Sequence, residues 1–323
     1  MRRVGLIGTG LMGRVHAQGW AQRSGVLRAV YAPDENARHF AARFGLLPCA
    51  TLDELWPEVD VVDICTPTPS HAGYAVQAAR AGKHVICEKP LALTLDEADR
   101  IISACDEAGV RLFVAHVLRF FPQYAAAQAQ VALGAVGEPR TLRLSRLSSP
   151  PAPGSWLLDE AQSGGVPLDL MIHDLDYARW IAGEVGRVYA AQARRGDRVS
   201  VHATLSHTGG AISLVEGGWA APPGVFRTAL DIAGTGGVIE WTSDAAPPLQ
   251  AHGVVPATAE QDGAALPELG EGDPYAAELW HAYDALETGQ PLRIEPADAR
   301  AALALALAVR RSLESGQPVE VEA

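Results

Sequence analysis

Up to residue 115 the chain switches repeatedly between two hydrophobic periods. Short, almost wholly apolar runs fall at 4–8, 27–31, 59–64, 84–87 and 110–115, with helix-like segments at 11–24, 34–44, 70–81 and 95–108 between them. Strands that are apolar on both faces belong in a sheet covered on both sides. The strand–helix alternation predicts βαβ units and a parallel, doubly wound sheet. Local signals agree: Thr94 and Glu97 have capping-box spacing, and Gly45, Gly82 and Gly109 stand just past helix ends, where a left-handed residue is needed.

After Phe121 the period changes. Residues 141–147, 199–206, 211–215, 228–232 and 237–241 alternate or nearly so, which predicts a large, mainly antiparallel open sheet with one buried face. Helical patterns at 167–182, 275–288 and 296–315 make this half α+β. The last is locally ambiguous, because Leu303, Leu305 and Leu307 alternate like a strand. Its alanine content, Pro296 at the start and Arg310 and Arg311 near the end favour helix. The stretch 245–272, rich in Pro, Gly and Ala, is expected as a long loop or weak edge strand. The break in pattern divides the chain into an α/β domain at 1–120 and an α+β domain at 121–323.

A chain of 323 residues suits two domains, and 48% hydrophobic against 20% charged residues excludes disorder as a class. With 26 basic and 38 acidic residues the net charge is −12, which opposes nucleic-acid binding. No apolar run approaches the ~20 residues of a membrane span. Cys49, Cys65, Cys87 and Cys105 form no Cys-x-x-Cys pair and no zinc spacing, so they read as buried thiols of a reducing, cytoplasmic compartment, with no metal. Met1-Arg2-Arg3 before an apolar run could head a twin-arginine export signal. Four glycines from Gly5 to Gly13, then Arg14 and His16, interrupt any export core and favour a first strand.

Gly8-Thr9-Gly10-Leu11-Met12-Gly13 is a Gly-x-Gly-x-x-Gly that follows a strand and opens a helix, the context a dinucleotide fingerprint requires. The first glycine permits the turn, the second lets backbone approach a pyrophosphate, and the third lets helix and strand pack closely. The alternative is a glycine turn with no ligand. An acidic residue usually ends the second strand of such a unit. Here the tip is Ala32; Asp34 is near but suits a helix cap, and Arg38 lies a turn further on. That favours NAD and leaves NADP open.

Two further elements suggest an enzyme. Cys87-Glu88-Lys89-Pro90 ends the 84–87 run, where ligands of open α/β sheets bind, although a surface lysine before a proline turn has the same pattern. Asp169 and His173, four apart on a helical segment entered through Ser163-Gly164-Gly165 and Pro167, share one face, which Asp176 and Trp180 extend. An ordinary histidine on a solvated face fits that spacing too. The glycine loop, Cys65-Thr66-Pro67 with His71, Glu88-Lys89-Pro90, Asp169-x-x-x-His173, Arg119-Phe120 before Pro122 and the ending 313–319, in this order, together resemble the Gfo/Idh/MocA oxidoreductase family.

The resemblance covers nearly the whole chain. It implies a Rossmann domain, then a domain for substrate binding and oligomerisation, and hydride transfer between NAD(P) and a secondary alcohol or ketone of a sugar, cyclitol or related polyol. Lys89 matches the lysine that contacts nicotinamide and substrate hydroxyl, His173 the general acid/base, and Asp169 a carboxylate that touches substrate or orients the histidine. Cys65, Thr66, Pro67, His71 and Glu88 match positions lining the nicotinamide half of the cofactor; Gly8, Gly10, Leu11, Met12, Gly13 and Ala32 would hold the rest. Thr68 stands where the family often has Asn. Homodimers or homotetramers through the open sheet are implied as well. The chemistry is coherent: a histidine near its reference pKa of ~6.5 can take the hydroxyl proton, and a lysine ammonium steadies the developing alkoxide. Two other classes fit parts of the pattern. A catalytically silent dinucleotide or sugar sensor on the same fold could dispense with Lys89, Asp169 and His173. A metal-dependent lyase using His173, Asp174 and Asp176 is disfavoured, because adjacent helical residues point ~100° apart.

Overall fold

The computed structural model describes residues 1–243 and 272–322, so the Pro/Gly/Ala-rich stretch lies almost wholly outside the described residues. The helices in chain order are α1 (Leu11–Trp20), α2 (Asn36–Phe44), α3 (Leu52–Leu55), α4 (His71–Arg80), α5 (Leu95–Ala108), α6 (Pro122–Ala132), α7 (Glu160–Ser163), α8 (Ile172–Ala182), α9 (Pro274–Thr288) and α10 (Pro296–Ser315). The chain forms two compact units, Met1–Phe120 with Gly270–Arg300, and Phe121–Leu269 with Ala301–Ala323.

The first unit holds β1 (Val4–Ile7), β2 (Leu27–Tyr31), β3 (Leu47–Cys49), β4 (Val61–Ile64), β5 (His84–Glu88) and β6 (Leu112–Ala115). They form one sheet in the order β3-β2-β1-β4-β5-β6, parallel throughout. The order reverses between β1 and β4, where open α/β sheets take their ligands. α5 starts as its sequence requires: Thr94 Oγ1 accepts from Glu97 N at 3.2 Å, and Gly109 closes the helix at φ 64°. α9, from far down the chain, packs on α1. Trp20 meets Trp280 edge-on at 5.1 Å, and Trp280 Nε1 donates to Gly19 O at 3.1 Å. Leu279, Trp280 and Tyr283 thereby cover Val4, Val61, Ile86 and Phe113 in one apolar cluster.

The second unit is built on β7 (Pro139–Ser148), β8 (Val185–Arg195), β9 (Arg198–His207), β10 (Ile212–Trp219), β11 (Phe226–Gly234), β12 (Val238–Thr242) and β13 (Val319–Glu320). Their order is β12-β11-β7-β10-β9-β8-β13; only β7 and β10 pair in parallel. Val199, Val201, Ala203 and Leu205 of β9 and Leu142 and Leu144 of β7 are buried on one face. In β10 Ala211, Ser213 and Val215 lie on the buried side, the Ser213 hydroxyl 2.8 Å from His207 Nε2, while Ile212 and Leu214 are exposed. α8 is fixed to β7 by a buried ion pair, Arg146 Nε to Asp174 Oδ2 at 2.6 Å and Arg146 Nη2 to Asp174 Oδ1 at 3.1 Å.

The alternation rule misses β3, β8 and α6 for identifiable reasons. β3 is a three-residue edge strand with a central proline. The register of β8 shifts between Val185 and Arg187, which breaks the period, and Ala191–Arg195 is exposed. α6 buries only Tyr124 and Ala127, so it carries no apolar stripe.

Removing Asp174 strands a charged guanidinium inside the second unit. Asp174→Ala is expected to cost about 3–5 kcal/mol. Arg143→Ala, at an exposed pair with Asp231, is expected to cost under about 1 kcal/mol. Chemical denaturation of both variants checks the contrast.

Candidate active site

The predicted cofactor residues gather at the carboxyl ends of four neighbouring strands, β2, β1, β4 and β5. After β1, Gly8 turns at φ 107°, and a Cβ there would sit 2.7 Å from Cys65 O. A Cβ on Gly13 would collide with Gly8 O. Both positions are therefore closed to side chains. Gly10 is the opposite case: a Cβ there would meet nothing within 4 Å. It caps α1 without any side-chain bond, and no acidic residue lies in the first turn. Unsatisfied N–H groups and the positive end of the helix thus face open space, a fit for the pyrophosphate of a dinucleotide. Leu11 is exposed and Met12 half-buried on this rim.

Ala32 is buried at the end of β2. Asp34 spends its carboxylate on the start of α2, accepting from Asn36 N at 3.1 Å and Asn36 Nδ2 at 2.8 Å. Arg38 is exposed on α2. After β4, Thr66 is half-buried, Pro67 exposed and Cys65 buried. His71 is buried with its ring nitrogens 2.8 Å from Thr66 O and 2.9 Å from Pro90 O, so it braces the β4 loop against the Lys89–Pro90 turn, whose peptide is cis. Burial pushes its pKa down, against the pull of the hydrogen bonds to Thr66 and Pro90.

Under the loop lies a buried polar network that the pattern of the sequence does not single out. His16 Nδ1 lies 3.0 Å from both Asp63 oxygens, and His16 Nε2 lies 3.0 Å from Glu88 Oε1. Trp20 Nε1 donates to Asp63 Oδ2 at 2.7 Å, and Cys65 Sγ lies 3.2 Å from His16 Nδ1. Glu88 Oε2 accepts from Lys89 N at 2.9 Å. With a carboxylate on each side of the ring, both nitrogens must donate. Burial opposes that charge, but Asp63 outweighs it, and His16 is held well above the usual histidine range. His16, Asp63 and Cys65 could also be read as metal ligands. His16 Nδ1 stands 3.0 Å from Asp63 and 3.2 Å from Cys65 Sγ, closer than the roughly 3.3–3.8 Å between donors around zinc. A lone acid inside Val61-Val62-Asp63-Ile64 was the available signal, since an unpaired charge does not persist in a strand buried on both faces.

In the second unit Asp169 and His173 are both half-buried. The predicted single helix begins instead as a π-turn, Pro167–Met171, that carries Asp169; the α-helix with His173 follows. Such turns are frequent at functional sites. Gly217 of β10 makes it possible, because any Cβ there would strike Met171. Asp174 is committed to Arg146 and Asp176 is buried, which removes the residues a metal-dependent lyase would need beside His173. Trp219 is buried and Trp156 half-buried. All four cysteines are free and buried. Among the described residues no helix is long and apolar enough to cross a membrane.

A parallel sheet of this strand order with an open glycine cradle defines a dinucleotide-binding unit. Residues 2–116 match the oxidoreductase family with an NAD-binding Rossmann fold, and residues 124–240 match the Gfo/Idh/MocA C-terminal domain. The chain is 29% identical to the myo-inositol 2-dehydrogenase of Thermotoga maritima over 99% of this chain and 98% of that protein. It is 32% identical to an uncharacterised oxidoreductase of Bacillus subtilis over 82% and 79%. Among solved structures, GenD2 from gentamicin A biosynthesis in complex with NAD superposes at a TM-score of 0.87, with 27% identity and 100% and 97% of the two chains covered. Levoglucosan dehydrogenase with NADH and L-sorbose gives 0.84, at 25% identity and 99% and 98% coverage. The chain belongs to the Gfo/Idh/MocA oxidoreductase family and is an NAD(P)-dependent dehydrogenase.

Glu278 of α9 faces the same buried network. It is wholly buried, and neither carboxyl oxygen has a hydrogen-bond partner among the described residues. Burial pushes its pKa well up; His16 opposes the shift, and Glu88 and Asp63 add to it. The folded chain thus holds a proton here that the unfolded chain releases above an ordinary carboxyl pKa of ~4.3. Stability from this group falls as pH rises from that value toward the raised one. Glu278→Gln should therefore melt higher than the parent, by on the order of a few °C at pH 8 and less at pH 5, in thermal denaturation.

Proposed function

We propose that this protein oxidises a secondary alcohol of a sugar, cyclitol or related polyol with NAD, or reduces the matching ketone, using His173 as acid/base and Lys89 as electrostatic partner. The observation that carries this is the placing of Lys89 at the end of β5, two strands from the open cradle at Gly10 and on the same edge of the sheet. The nicotinamide, when bound, accepts or donates the hydride. The chain supplies the rest. A neutral His173 takes the proton of the substrate hydroxyl. The Lys89 ammonium steadies negative charge on that oxygen. Asp169 contacts substrate or orients the histidine. Gly8, Gly10, Leu11, Met12 and Gly13 form the pyrophosphate cradle. Cys65, Thr66, Pro67, His71 and Glu88 shape the nicotinamide side, with buried His71 acting through the backbone it braces.

The relatives named for inositol and levoglucosan point to a cyclic polyol. Residues 1–120 are assigned to the cofactor and 121–323 to substrate and self-association, except Gly270–Arg300, which groups with the cofactor unit. Tyr189, Ile212, Leu214 and Val238 are exposed and, by strand register, lie on one face of the seven-stranded sheet, which suits a homodimer or homotetramer contact.

Incubation with NAD and a panel including myo-inositol and levoglucosan, followed by NADH absorbance, tests the activity. His173→Ala should lower kcat by ~10²–10⁴ and abolish the rise of oxidation rate with pH. Lys89→Ala should also lower kcat, and the two losses should be far from additive, since both act on one oxygen. A His173→Ala enzyme with the parental kcat and pH profile would remove His173 from the mechanism. A parent that binds NADH but turns over no polyol would favour the silent sensor.

For the cofactor, Gly10→Val should weaken NADH binding about 100-fold or more by filling the cradle. Ala32→Asp should strengthen the preference for NAD by accepting ribose hydroxyls and repelling a 2′-phosphate. Fluorescence titration with NADH and NADPH reads both, and a parent that strongly prefers NADPH would overturn the assignment at Ala32.

A further inference from the structure

His16 has no part in the proposed chemistry, yet it stands between two pieces of the site. It lies on α1, whose first turn is the glycine loop. Its Nε2 reaches Glu88 at the end of β5, and its Nδ1 reaches Asp63 on β4. Glu88 is the link that matters: one carboxylate oxygen faces His16 at 3.0 Å, while the other accepts the backbone N–H of Lys89 at 2.9 Å. The path from the cradle to the Lys89 N–H therefore runs through two buried side chains, His16 at 0% and Glu88 at 6% accessible.

We propose that His16 is a positioning residue that sets the place of Lys89 relative to the glycine loop, by holding the Glu88 carboxylate in the orientation that receives the Lys89 N–H. The proposal deepens the assignment of Lys89 above and rests on it for its consequence in catalysis. The groups facing His16 are Asp63 and Cys65 from β4 and its end, Glu88 from β5 and Glu278 from α9. Of these, Asp63 and Glu88 carry the charges that the ring answers. Cys65 stays a thiol, because burial pushes its pKa well up, and Glu278 stays protonated for the same reason. The two ring nitrogens do different jobs. The Asp63 side anchors α1 to the middle of the sheet, and the Glu88 side alone reaches Lys89.

Two substitutions separate those jobs. In His16→Asn the shorter amide reproduces the Nδ1 donor to Asp63 and loses Glu88. In His16→Gln the longer amide reaches the Nε2 position and keeps Glu88. Hydrogen exchange by NMR on the full chain reads the result without substrate. The Lys89 amide should exchange at least about 10-fold faster in His16→Asn than in His16→Gln, while Val62 and Ile86, inside β4 and β5, stay within about 3-fold of the parent in both. In turnover, His16→Asn should lower kcat about 10-fold with KM for NAD within about 3-fold, and His16→Gln should recover most of the loss. In a Lys89→Ala background, His16→Asn should cost less than about 2-fold more, because its effect passes through that lysine.

Equal Lys89 exchange in the two variants, or loss of protection at Val62 and Ile86 alongside it, would leave His16 with a merely structural role and overturn the proposal. If neither His16 variant folds, Glu88→Gln, which keeps an acceptor for Lys89 N, should retain Lys89 protection, and Glu88→Ala should lose it; equal protection in that pair also overturns the proposal. Failure of the underlying assignment looks different: Lys89→Ala would then turn over like the parent, whatever the exchange rates show.

Discussion

A charged imidazole sealed between two carboxylates is the constraint around which the cofactor unit is arranged. His16 cannot satisfy Asp63 and Glu88 unless both its nitrogens carry protons, and a buried charge of this kind persists only when paired on every side. Each partner comes from a different element, so α1, β4 and β5 are held in mutual register by polar groups and not by apolar packing alone. Trp20 completes the arrangement. Its indole N–H pairs with Asp63, while its ring anchors the cluster built with α9. The glycine loop above can then be open where a ligand belongs and closed elsewhere.

Much of this was legible in the sequence, because the βα units obey local rules. Almost wholly apolar runs place β1, β2 and β4 to β6, Thr94 and Gly109 bound α5 at the predicted residues, and the alternation in β7 and β9 announces a half-buried sheet. What was not legible depends on partners distant in sequence. Nothing local marks β8, whose register shifts, or the inward turn of Ser213, which needs His207 as its partner. Asp169 and His173 were recognisable by spacing. That Asp169 rides on a π-turn follows from Gly217, some fifty residues away, and no helical periodicity reports it.

The second unit answers the same problem differently. There a bidentate guanidinium–carboxylate pair, Arg146 with Asp174, ties the helix of His173 to its sheet. Such a pair fixes orientation as well as distance, because two parallel hydrogen bonds resist rotation. Asp174 immediately follows His173, so the anchor and the proposed proton carrier share one turn of helix. In both units a candidate reacting side chain is thus adjacent in sequence to a carboxylate that is itself buried and bonded: Lys89 beside Glu88, His173 beside Asp174.

The cofactor unit draws on both halves of the chain. Its apolar cluster joins Val4 and Trp20 to Leu279, Trp280, Tyr283 and Ile294, so the face of the parallel sheet over Val61 and Ile86 is covered by residues made late in synthesis. Domains usually fold in the order in which they leave the ribosome. Here the first 120 residues emerge with Trp20 and one sheet face still bare, and they wait through the whole intervening open sheet for α9. The nascent chain must keep that surface from self-association during most of its translation, and a chain stopped before residue 270 would expose it permanently.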